Sequence, residues 1–195
     1  MKNTLNFVNK IKVENILGLQ ETRNELSVRG KNGIGFLISA FAIWLIITII
    51  FLQPIEIHQK NILMLYSTGL MFPLSVGIST LIKADWKLKN NPLGNLGLIL
   101  NLAQVIYFPI LIWGMIISPN EAIMFLAIIT GAHFFPYGWF YNAKPYYVMA
   151  PIISVGIMVL GLFLIEEKIW MIPFSMAIIL IILIFWSHLD YKSKS

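Results

Sequence analysis

KADWKLKNNPLGNLGLILNLAQVIYFPILIW, residues 83–113, is the stretch whose reading decides the fold. Its first half is basic and rich in turn residues. Its second half is almost wholly apolar, yet carries Asn101, Gln104 and Pro109. A helix this apolar has no place on a water-facing surface, so the solvent of residues 96–117 is expected to be lipid.

Working outward, the same alternation recurs on both sides. Apolar segments are read at 34–52, 61–82, 96–117, 122–141, 147–165 and 171–189, joined by short polar pieces. Each is about 20 residues, enough at 1.5 Å per residue to cross a hydrocarbon core of about 30 Å. Backbone amides in lipid find partners only within a helix or a closed barrel, so each segment is expected to be helical. The composition agrees: 12% of the 195 residues are charged and 58% hydrophobic, against about 25% charged in a soluble domain. The expected architecture is all-α, a six-helix transmembrane bundle (34–189) with a basic tail at 1–33 and a short tail at 190–195. The short connections predict that sequential helices pack as antiparallel hairpins.

Orientation follows from Lys and Arg. With the first residue in the cytoplasm, 12 of the 14 lie inside, and only Lys60 and Lys168 lie outside. Both termini are therefore expected on the cytoplasmic face of the cell membrane. Most tryptophans fall near segment ends, as an interfacial belt requires, and Trp44 alone is clearly mid-segment. In the tail, Leu5, Val8, Ile16 and Leu19 form a modest helical stripe. Two readings follow: a solvated tail with a loose helix, or a helix lying on anionic lipid. No cleavable signal peptide is expected.

Polar residues at membrane depth are few. Gly94, Gly97, Asn101 and Gln104 recur at helical spacing in the third segment, and Thr130, His133, Tyr137 and Tyr141 in the fourth. From the helical rise, Asn101 lies about 7 Å and Gln104 about 12 Å below the inner boundary, with Tyr137 about 6 Å and His133 about 12 Å deep. An antiparallel pair could set Gln104 beside His133 and Asn101 beside Tyr137. These four are the candidate ligand-binding residues. Two readings remain open, hydrogen-bonded glue between helices and a polar recess on a solute path. Met71-Phe72-Pro73, Tyr107-Phe108-Pro109 and Phe134-Phe135-Pro136 place prolines inside segments, where each frees a carbonyl one turn earlier. The basic loop offers a weaker candidate, an anion or lipid head-group site at Lys83, Lys87, Lys89 and Asn91 beside a helix start. Topology alone also accounts for those lysines.

The chain lacks cysteine, and it carries no HExxH, no GxSxG and no P-loop. Its histidines lie at no metal-ligand spacing, so no metal or cofactor is expected. Nucleic acid is not an expected partner, because the basic residues sit beside lipid. The expected partners are the bilayer and either another membrane protein or a second copy of the chain. Enzymatic activity is not expected. The leading functional reading is a protein that binds or passes a small solute through a cytoplasm-facing recess between the second, third and fourth segments. The alternative is a non-catalytic scaffold or accessory subunit. A third is a lipid-modifying enzyme acting through Asp85 or His133.

The run Gly69-Leu70-Met71-Phe72-Pro73-Leu74, Lys83-Ala84-Asp85 with Asn91-Pro92-Leu93-Gly94, and the segment from Gly131 to Pro136 resemble an uncharacterised family of small bacterial multi-pass membrane proteins. The resemblance covers about residues 30–185. It implies a membrane-embedded helical fold and carries over no activity or site residue.

Overall fold

Helices account for the membrane part of the chain, as satisfying backbone amides in lipid demands. The structure is a computed structural model and describes residues 17–195. Helix α1 occupies 17–29 of these residues. It is followed by α2 (Ile34–Leu52), α3 (Ile57–Gly69), α4 (Met71–Leu81), α5 (Gly94–Ile106), α6 (Phe108–Ile117), α7 (Ala122–Phe140), α8 (Lys144–Phe163) and α9 (Met171–Lys192). Five helical stretches are long and apolar enough to cross a membrane, and α3 with α4, bent by 41°, pass the same length and composition test together. The expected all-helical membrane bundle is the fold. Helix bounds differ from the sequence reading by a few residues. The largest differences are the start of α3 at Ile57 and of α8 at Lys144, where polar first turns carried no hydropathy signal.

Two of the prolines break their spans. Pro73 has no N–H for the Gly69 carbonyl, and the second span bends between Gly69 and Met71. Pro109 does the same to Val105, and α5 gives way to α6 at Tyr107. Pro136 and Pro151 lie inside α7 and α8 without ending them.

The packing departs from sequential hairpins. Helices α7 and α8, α8 and α9, and α2 with α3–α4 do pair, and α9 closes back onto α2. Helices α5 and α6 lean on α7 and form no extended contact with α4. Glycines let the tightest pair approach: a Cβ at Gly131 would stand 2.6 Å from Ile153 Cγ2, and one at Gly138 2.7 Å from the Tyr147 ring. At the edge of the bundle, α5 buries none of its residues fully.

Helix α1 is not a solvated tail. Its Leu26 is fully buried, and the helix lies across the end of the bundle where the second, fourth and sixth spans finish. Arg29 bonds Asp85 (2.6 Å) and the Lys89 carbonyl (2.8 Å). Arg23 bonds the Trp139 carbonyl, Asn142 donates to Asn24 (2.9 Å), and Lys194 donates to Ser27 (3.3 Å). The stripe residues Leu5, Val8 and Ile16 lie outside the described residues, and Leu19 is exposed. The face that docks is Leu26, Ser27 and Gly30 instead.

Between α1 and α2 the chain turns through Lys31, Asn32 and Gly33, all at positive φ (48°, 50° and 70°). Asn32 is fully buried there. It accepts a bond from Ser27 (2.6 Å) and donates to the Ser187 carbonyl (3.0 Å) and to Asp190 (2.9 Å). The Tyr146 hydroxyl donates to its carbonyl. One residue thus ties α1, α8 and α9 together.

Candidate functional site

A cavity of about 740 Å³ opens at the α1 end of the bundle, walled by α2, α5, α7 and the bend between α3 and α4. Helical spacing makes each wall. On α2 the wall is Phe36, Leu37, Ala40, Ile43, Trp44 and Ile47; on α7 it is Leu126, Thr130, His133, Phe134, Tyr137 and Phe140. Steps of three and four residues keep such a set on one helix face. The α5 wall runs through Gly94, Gly97, Leu98, Asn101, Leu102, Gln104 and Val105, and Phe108 continues it into α6.

All four recess candidates, Asn101, Gln104, His133 and Tyr137, line this cavity, as do the other members of both stripes. They do not pair with one another as the depth match suggested. Asn101 donates to the Gly97 carbonyl of its own helix (2.9 Å), and Thr130 to that of Leu126 (2.8 Å). His133 meets Tyr137 edge to face, ring centroids 5.3 Å apart. The Tyr137 hydroxyl is buried with no hydrogen-bond partner among the described residues. Direct glue between α5 and α7 is therefore not what these side chains provide. They face shared space.

Both span breaks lie on the same cavity. Thr68, Gly69, Met71 and Phe72 contribute from one side, and Gln104, Val105 and Phe108 from the other. The Gly69 and Val105 carbonyls, deprived of a proline N–H, thus belong to its wall residues.

The basic loop divides. Lys87 and Lys89 line the mouth of the cavity, with Lys87 Nζ 5.0 Å from the centre of the Trp86 indole. Lys83 is not among the lining residues. Asn91 is buried under α1, and its amide donates to Glu25 (3.0 Å) and the Thr22 carbonyl (3.2 Å). Its Oδ1 accepts from the Leu93 amide (2.9 Å), an Asx turn just ahead of α5. Its polar atoms are thereby engaged, which removes Asn91 from the anion site.

The loop is held in place by charge. Burial pushes the Asp85 carboxyl up, but the Arg29 guanidinium and the Leu88 amide outweigh it and leave the group below its ordinary value. The hydrogen bond from Arg29 likewise holds Glu25 low. Sequence reasoning singled out neither Arg29 nor Asn32. The available signals were the Glu25–Arg29 helical spacing and the Lys31-Asn32-Gly33 turn. Among the described residues, no group of His, Asp and Glu side chains could hold a metal ion.

Comparison with curated proteins and with solved structures gave no match. The sequence profile of a family of unknown function does match, over residues 19–190. That range exceeds the one the resembling motifs covered, and it takes in α1 as part of the same unit. The chain belongs to this family, the family of unknown function DUF7010.

Proposed function

We propose that the chain binds a small, mainly apolar solute in the cavity at the α1 end, and that binding or passage, not catalysis, is its role. The observation that carries this reading is the convergence of scarce polar groups from separate helices on one cavity, with the Tyr137 hydroxyl buried and unpartnered among the described residues. Ligand sites typically span about 300–1,000 Å³, apolar with a few placed polar groups, and this cavity fits that description. The prolines support it, because interrupted spans facing each other across a cavity are the usual pointer to a transporter's binding site.

The α1 end faces the cytoplasm in this reading, on the count of 12 of 14 basic residues on that side. The membrane is then the cell membrane. The absence of cysteine allows a direct test. Asn101→Cys and His133→Cys are expected to react with a charged thiol reagent in inside-out vesicles and not in right-side-out ones. Protection by a bound solute would identify the ligand. Failure of both cysteines to react from either side would reject the cavity as a solute site.

A second reading, a scaffold or accessory subunit, draws support from the outward face of α5 and α6. There Ile99, Ile106, Ile110 and Ile116 are exposed and lie outside the cavity lining. A stable partner on that face would co-purify with the protein and be lost on introducing charge at Ile99 or Ile106.

A further inference from the structure

The charge pattern of the cavity narrows the class of ligand, on the premise that the cavity is a binding site as argued above. Among the described residues no Asp or Glu lines it, and its two charged lining residues are Lys87 and Lys89 at the mouth. Beneath them come uncharged hydrogen-bonding groups, Asn101, His133 and the unpartnered, nine-tenths buried Tyr137. Deeper still the walls are Trp44, Ile47, Val105 and Phe108.

The α5 wall from Gly94 to Phe108 implies about 20 Å of depth at 1.5 Å per residue. Helices α4 and α5 form no extended contact, and the wall residues Phe72, Leu98, Leu102 and Val105 are exposed, so protein does not close this side of the cavity.

Each simpler ligand leaves part of this unused. An inorganic anion would leave the apolar depth bare. A neutral hydrocarbon would leave the lysines without a counter-charge. A cation would meet two lysines and no counter-charge. We propose that the cavity receives a single-chain acidic amphiphile from the surrounding bilayer. Its head group lies at the exposed Lys87 and Lys89, and its tail runs past Tyr137 toward Trp44 and Phe108.

The test uses the full chain in lipid nanodiscs, with a long-chain fatty acid brominated along its tail as the probe. Quenching of the Trp44 component, isolated by comparison with Trp44→Phe, reports tail position. The expected result is saturable quenching that weakens about threefold to tenfold in Lys87→Ala/Lys89→Ala. The brominated alcohol of equal length is expected to bind correspondingly less tightly. Thermal unfolding checks that each variant folds; Lys87→Gln/Lys89→Gln stands in if the alanine pair does not.

Equal binding of acid and alcohol, with no effect of the lysine replacements, would overturn the acidic-head assignment while leaving the cavity as an apolar site. Competition by inorganic phosphate as effective as that by the fatty acid would also overturn it, since a free anion would then be the ligand. If neither amphiphile quenches Trp44 and Asn101→Cys and His133→Cys stay unreactive, the binding reading itself fails.

Discussion

Asn32 holds a left-handed backbone while making bonds to α1, α8 and α9, so its replacement is expected to be among the costliest outside the core. Leu at this position would lose about 1 kcal/mol per hydrogen bond and incur about 1–2 kcal/mol of backbone strain. Thermal unfolding in detergent is expected to show a total loss of about 4–5 kcal/mol for Asn32→Leu, which loses three side-chain bonds, and a smaller one for Asn32→Gly, which avoids the strain but still loses the side-chain bonds. The carboxylates of Glu25 and Asp85 carry a pH signature. Both titrate below their ordinary values in the folded state. Their contribution is present above about pH 4 and is lost as pH falls through the lowered folded values. For the half-exposed Arg29–Asp85 pair this amounts to about 1 kcal/mol or less. Melting curves recorded between neutral and strongly acid pH are expected to converge for wild type and Arg29→Ala at the acid end. His133 and Tyr137 were legible in the sequence because a polar side chain in a lipid-facing run is rare enough to stand out. Asn32 was not, since its Tyr146 partner lies 114 positions away and nothing local announces it.

Helices differ in how they tolerate the same residue. Pro136 and Pro151 sit in α7 and α8, which press against each other and stay continuous, whereas Pro73 and Pro109 break spans that border the cavity. The motif was readable in advance; which prolines would bend their helix was not, because that depends on neighbours. Small residues obey the same rule. Gly131→Leu forces α7 from α8 at Ile153 and Ser154 and is expected to cost about 1–3 kcal/mol by overpacking. Gly156 lies in α8, and a methyl added there would meet nothing within 4 Å, so Gly156→Ala is expected to be neutral or stabilising by up to about 1 kcal/mol. Melting temperatures of the two variants, measured side by side in one detergent, check the contrast.

Across the molecule, hydropathy was enough to mark the apolar helical stretches. It could not say which spans touch, because in lipid an apolar side chain is equally content facing a neighbour or an acyl chain. That ambiguity is why α5 and α6 looked like ordinary bundle members, although they rest chiefly on α7 at the edge. Amide exchange is expected to be faster in α5, which buries no residue fully, than in α7 or α9. A mass-spectrometric exchange series on the protein in nanodiscs would show it; equal protection of all three would contradict that packing.

One movable wall of the cavity is therefore backed by solvent hydrocarbon instead of protein. The span that α5 and α6 make is interrupted at Tyr107, and a span bordered by acyl chains adapts to bilayer thickness by tilting or kinking. Host-membrane composition is therefore expected to act on the shape of the cavity, with no second ligand required.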